Sequence, residues 1–309
     1  MIAFFLGPVL LVALLLGRSA NRIVTRYDPA LAVRLLVRAA TVVAAATAVL
    51  IYELSGLVVA QSQIVASRGG WSGDVIADKV SLPVALRLTV ALAALAMTAS
   101  AVSESARTWH RSRTMHRYAQ GLHVTDGLAV VDDPGAPAYA IPRGRGAVVI
   151  DAHLLTQLDA RERRAVLAHE RSHLQHRHHR HLRYASLAAA VNPLLRPVVG
   201  AVALGVERWA DEDAARVVGD RRAVAHALAK TGLFRRMSRP GTDPALAMAT
   251  HAVSMRVHHL MHPSREHPRS PLLILSAVCV IVAASAPTIL GEVAHELWEA
   301  ATAGLARPG

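Results

Sequence analysis

The apolar residues of this chain are gathered into long runs, and this clustering constrains its fold more than any other feature. Runs of roughly 17–25 apolar residues are long enough to cross a bilayer as a helix. Four runs qualify: 1–17, about 39–60, about 83–102 and about 271–292. The basic residues follow the first run, unlike those of a cleaved signal peptide. We therefore expect a mainly α membrane protein with about four transmembrane helices.

The charges between the runs predict its orientation. Segment 18–38 holds five arginines, whereas 61–82 holds two basic and two acidic residues. Four more arginines follow the third run. Because basic segments stay on the cytoplasmic side, 18–38 and 103–270 should be cytoplasmic and 61–82 external. The net charge of +12 is thus explained by arginines beside the membrane spans, which can contact anionic lipid headgroups. No direct nucleic-acid binding is expected.

These boundaries divide the chain into three parts. Residues 1–102 form a membrane region, 103–270 a cytoplasmic domain, and 271–309 a last transmembrane helix with a short tail. The single cysteine, Cys279, excludes an intrachain disulfide. Oligomeric state cannot be read from the sequence.

Residues 167–173 read Leu-Ala-His-Glu-Arg-Ser-His, which is the H-E-x-x-H pattern of zinc peptidases. On a helix, His169 and His173 share one face and can bind one metal ion. Glu170 lies beside them, where a general base for the attacking water belongs. A capping box at Asp159–Glu162 predicts the start of this helix.

A third metal ligand is expected at Glu207, 34 residues after His173. Two histidines and one glutamate make the three-ligand set of a catalytic zinc site. Asp211, one turn further on, can accept a hydrogen bond from a ligating histidine. The alternative is an ordinary acidic helix face, since Glu212 and Asp213 follow.

Residues 184–206 are apolar enough to span a membrane, but three features oppose a crossing. Arg196 would lie near the middle, Asn192-Pro193 and Pro197 interrupt a helix, and a crossing would separate Glu207 from His169 and His173. We expect a re-entrant or interfacial helical hairpin on the cytoplasmic side.

Three short apolar segments, 127–131, 138–141 and 146–150, predict a small sheet before the motif. One strand could hold a substrate by backbone pairing, or the sheet could be purely structural. His176, His178, His179 and His181 could form a second metal site or a metal entry path. Because arginines alternate with them, we favour a basic helix facing lipid headgroups.

Together these segments resemble a family. LDARERRAVLAHERSHLQHRHH, then VNPLL, then ERWADEDA resembles the integral-membrane gluzincins of bacteria, over about residues 125–260. The likeness is greatest to the peptidase domain of BlaR/MecR-type sensor-transducers. It implies an α+β zincin-like domain, one zinc ion on His169, His173 and Glu207, Glu170 as general base, and a supporting role for Asp211. Arg256 resembles a downstream arginine of these families, without an assigned role.

The resemblance implies a bacterial membrane endopeptidase that cleaves a cytoplasmic or membrane-proximal protein such as a repressor. The chain ends about 15 residues beyond the fourth run, so an extracellular penicillin-binding sensor domain is not expected. His251 is a candidate for stabilising the oxyanion. Two alternatives are a non-catalytic signalling protein that keeps the fold and a histidine-rich metal-handling membrane protein. The first conflicts with the intact His-Glu-His-Glu set, the second with histidines that lie outside the spans.

Overall fold

The computed structural model describes residues 2–79, 83–133, 137–142, 146–238, 244–262 and, between 273 and 299, residues 273–275, 277–282, 285, 288, 292, 295–296 and 299. The helices of the amino-terminal part are α1 (Ile2–Arg26), α2 (Pro29–Ala60), α3 (Gln63–Gly69), α4 (Gly73–Lys79) and α5 (Val84–Gln120). The strands are β1 (Leu128–Val131), β2 (Ala138–Ile141) and β3 (Ala147–Asp151). The remaining helices are α6 (Ala152–Gln157), α7 (Ala160–Gln175), α8 (His178–Val191), α9 (Arg196–Val218), α10 (Arg221–Ser238) and α11 (Pro244–Met261).

Three helices of the described chain are long and apolar enough to cross a membrane. They comprise Leu6–Arg26 of α1, all of α2 and all of α5. They overlap the first three predicted spans, at 1–17, about 39–60 and about 83–102. Of the fourth, 271–292, the structure describes a short apolar helix at Leu273–Val282, and the rest of that prediction falls largely outside the described residues.

No long loop separates the first two apolar runs. Helix α1 continues to Arg26 and α2 begins at Pro29, so a tight turn joins two helices. Asp28 makes this turn possible because its carboxylate accepts the Leu31 N–H at 2.8 Å and caps α2. Likewise α5 does not end near 102 but runs on to Gln120.

Residues 184–206 form the bend of a helical hairpin, as expected. Helix α8 ends at Val191, Asn192 follows as its C-cap, a 3₁₀ turn spans Pro193–Leu195, and α9 runs back. The buried Asn192 side chain accepts the Leu194 N–H at 3.1 Å and donates to Thr47 Oγ1 of α2 at 3.0 Å. At Gly17 of α1, an added Cβ would lie 2.5 Å from the Leu194 carbonyl oxygen, so a side chain there would block this approach. The hairpin therefore packs against α1 and α2 and shares their apolar core.

The small sheet has the order β1-β3-β2, with β1 parallel and β2 antiparallel to β3. The three strands match the predicted segments to within one residue. Strand β3 is buried throughout. Among the described residues, β2 is an outer strand whose other edge carries no partner, and it packs against α7.

Candidate metal centre

Helix α7 presents His169, Glu170 and His173 to the centre of the domain. Its start is set by the predicted capping box: Asp159 accepts the Glu162 N–H at 2.8 Å, and Glu162 accepts the Asp159 N–H at 2.9 Å. The buried Glu162 also pairs with Lys230 of α10 at 2.6 Å. A second link joins α7 to α9, because the buried Ser172 donates to Asp213 at 2.6 Å. These contacts hold the motif helix in place.

The side chains of His169, His173 and Glu207 converge on one point. The two Nε2 atoms are 3.2 Å apart, and the Glu207 carboxylate oxygens lie 3.4 Å from His169 Nε2 and 3.6 Å from His173 Nε2. In the described part of the chain, this is the one group of three or more such side chains close enough to hold a metal ion. Glu207 belongs to α9, so the hairpin between α8 and α9 brings its carboxylate back to the histidines of α7.

Behind these donors, Asp211 and Arg256 form a buried charged layer. Asp211 lies 3.0 Å from His169 Nδ1, so that ring nitrogen can donate to the carboxylate. Arg256 of α11 donates to both oxygens of Asp211, at 2.6 and 2.8 Å, and reaches Glu207 at 2.9 Å. The sequence resemblance singled out Arg256 without a role. Its structural role is to hold both carboxylates in position.

His173 has a different partner, which the sequence did not reveal. Its Nδ1 lies 2.9 Å from Nδ1 of His178, the first residue of α8. His178 is 1% exposed and packs against Trp209, and its Nε2 is buried without a hydrogen-bond partner in the described part of the chain. The interpretation of this histidine run as facing headgroups was therefore wrong for His178. It was also wrong for His176, which stacks on Trp209 and lies 3.0 Å from Asp213.

The reason lies in the backbone between α7 and α8. Arg177 has φ 51°, in the left-handed region that a non-glycine residue rarely adopts. Arg177 lies between the end of α7 and the start of α8, and its backbone conformation turns the chain so that His178 lies over His173. His179 remains exposed, and its contact with lipid headgroups stays a prediction.

Burial and charge set the protonation of these groups. Burial lowers the pKa of His169, but Asp211 and Glu207 outweigh it and raise that pKa to about 10. Burial, together with the neighbouring His169, lowers the pKa of His173 to about 4. Burial likewise lowers the pKa of His178 to about 3. Despite burial, Arg256 and His169 lower the pKa of Glu207, whereas burial raises the pKa of Glu170.

A cleft of about 710 Å³ opens over the donor cluster. Strand β2 forms one wall through Ala138, Tyr139 and Ala140, and α10 forms another. Glu170 lines it beside the donors. Much of the remaining lining is apolar, including residues from α7, α8, α10 and α11: Val166, Leu174, Leu182, Val224, Leu228 and Val253. The cleft can therefore hold an extended peptide against the donors. The His251 side chain lies outside the described residues.

Comparison with protein-family models matches residues 105–265, just over half of the chain, to peptidase family M48. The chain belongs to this family. Comparisons with curated proteins and with solved structures find no significant match. Family M48 membership, the His-His-Glu cluster and the three long apolar helices identify a membrane-associated metallopeptidase. The narrower resemblance to BlaR/MecR-type sensor-transducers stays a prediction.

Proposed function

We propose that this chain is a zinc-dependent endopeptidase of a bacterial membrane, with one zinc ion held by His169, His173 and Glu207. One observation carries the proposal. Tetrahedral zinc with ligand bonds of about 2.0–2.1 Å has donor atoms about 3.3–3.4 Å apart. The two histidine nitrogens are 3.2 Å apart, one Glu207 oxygen lies 3.4 Å from His169 Nε2 and the other lies 3.6 Å from His173 Nε2, so the three side chains are close enough to adopt that geometry around one ion. Sulfur is absent from the set, and three ligands leave a position open for substrate or water.

Zinc, when bound, supplies Lewis-acid polarisation of the scissile carbonyl and activation of water. The rest of the chemistry belongs to the side chains. Glu170 is the general base: it takes a proton from the attacking water and returns it to the leaving amine. Its buried position raises its pKa above that of an exposed carboxyl, which suits a group that must both accept and release a proton near neutral pH.

Asp211 orients His169 through Nδ1, and Arg256 holds Asp211 and Glu207 in a fixed arrangement. Strand β2 has its outer edge along the cleft, so a substrate can add to it as a further strand. Such pairing holds a peptide by its backbone and leaves side-chain selection to the apolar walls. Binding of a substrate by its backbone along a strand supports cleavage of bonds inside the substrate chain, which is the activity of an endopeptidase.

The catalytic side should face the cytoplasm. Arg18, Arg22, Arg26, Arg34 and Arg38 are all exposed around the α1–α2 turn, which lies at the same end of the membrane helices as the site. Basic residues concentrate on the cytoplasmic side of bacterial spans. We therefore place 103–270 in the cytoplasm, between the membrane region 1–102 and the segment 271–309.

Replacing Glu170 with glutamine tests the proposal. Glu170→Gln should lower peptide hydrolysis by about 10²–10⁴-fold, the usual contribution of a general base, while zinc content stays stoichiometric. Arg171→Gln, an exposed neighbour, is the matched control and should keep activity. Normal turnover in Glu170→Gln, or purified protein without zinc, contradicts the assignment and favours a non-catalytic role.

A further inference from the structure

The height of the metal centre relative to the membrane can be read from the contacts of α9. Gly205, two residues before Glu207, packs so closely that an added Cβ would lie 2.5 Å from Val33 Cγ2 and 3.4 Å from Val24 Cγ2. Just after Glu207, Arg208 donates to the Val24 carbonyl oxygen. Glu207 is therefore level with Val24 on α1 and Val33 on α2.

The edge of the hydrocarbon layer lies where the apolar runs of α1 and α2 meet their first arginines. These are Arg18 and Arg38, and both are exposed. Val24 is six residues beyond Arg18 and Val33 is five residues from Arg38, so at 1.5 Å per residue Glu207 lies about 8–9 Å outside this edge. The headgroup layer is about 5–8 Å thick. The metal centre thus lies at its outer surface.

The cleft itself extends from the donors toward the membrane. Its lining includes Leu182 of α8, which also packs against the apolar core that α1 and α2 share. A peptide that leaves the donors along α8 therefore reaches the bilayer almost at once.

We infer that the substrate of this site is a membrane-anchored protein, cut in the segment directly beside its own span. The inference rests on the proposed peptidase function. An extended chain advances about 3.3 Å per residue, so a scissile bond about 9 Å from the hydrocarbon needs at least about three residues of linker. The cleavable window runs from there to about ten residues from the span. A soluble repressor, the substrate that the BlaR/MecR-type resemblance implies, is the competing outcome.

The test uses the full chain in liposomes with a reporter pool that assumes no sequence preference. Each reporter has one apolar span followed by a randomised segment of about 40 residues, which reaches about 130 Å when extended. The same randomised segments without a span form the soluble pool. Mass spectrometry of the released peptides maps every cut, and Glu170→Gln protein gives the background.

Glu170-dependent cuts should gather within about ten residues of the span, and the soluble pool should be cut at least about tenfold more slowly. Cuts spread evenly over the segment, or equal cleavage of the soluble pool, overturn the inference and leave the peptidase proposal standing. Cuts that are absent, or that persist in Glu170→Gln, defeat the peptidase proposal and the inference together.

Discussion

The two histidines of the metal centre differ in the partner of their outer ring nitrogen. His169 faces the carboxylate of Asp211, whereas His173 faces the neutral ring of His178. Partners of this kind orient a metal-binding imidazole, and their loss commonly weakens metal affinity about 10–100-fold. His178 accepts from His173 Nδ1–H only if its own proton lies on Nε2. The low pKa of His178 keeps it neutral and able to accept.

His178→Leu should therefore weaken zinc binding by about 10–100-fold in chelator competition. His178→Asn should restore most of it, because the amide oxygen of asparagine can take the place of Nδ1. His179→Leu, at the exposed neighbouring position, is the control. Equal affinity in the leucine and asparagine variants, at matched thermal stability, would show that His178 only fills space.

Zinc binding near pH 7 should release about one proton. In the metal-free site, the raised pKa of His169, about 10, keeps it protonated at this pH, and the lowered pKa of His173, about 4, keeps it neutral. A zinc ligand must be deprotonated, so affinity should fall as the pH falls below about 10. Calorimetry in two buffers with different ionisation enthalpies counts the protons. A binding enthalpy that is the same in both buffers would contradict this.

At the scale of elements, Arg177 joins α7 to α8 in a left-handed backbone conformation. This conformation costs a non-glycine residue about 1–3 kcal/mol, and glycine avoids most of that cost. Arg177→Gly should therefore raise the free energy of unfolding by about 1 kcal/mol in detergent. Arg183→Gly, in the interior of α8, should lower it by about 1 kcal/mol. If both variants lose stability equally, Arg177 is not strained.

At the scale of the whole molecule, the hairpin requires that both of its outer ends lie on one side of the membrane. In a Cys279→Ser background, single cysteines at the exposed Arg183 and Arg216 should be labelled from the cytoplasmic face. A cysteine at Arg68, after the second span, should be labelled from outside. Labelling of 183 and 216 from opposite faces would refute the hairpin topology in the membrane.

The sequence alone was sufficient to locate the helix and strands that carry the site. Apolar runs predict spans, a capping box predicts the start of α7, and the i, i+4 spacing places His169 and His173 on one face. These are local signals, because each depends on residues within a turn or two. Asn192-Pro193, with the need for Glu207 to meet both histidines, predicted the hairpin.

Only the tertiary structure decided the contacts between distant segments. Arg256 lies 45 residues from Asp211, and no spacing rule connects them. The pairing of His178 with His173 depends on one left-handed residue, although the surrounding arginines indicate an exposed helix. The inferred position of the site, about 9 Å from the hydrocarbon, rests on the packing of α9 against α1 and α2. Sequence patterns record which face of an element is apolar, but the register in which two faces meet depends on side-chain packing across the whole fold.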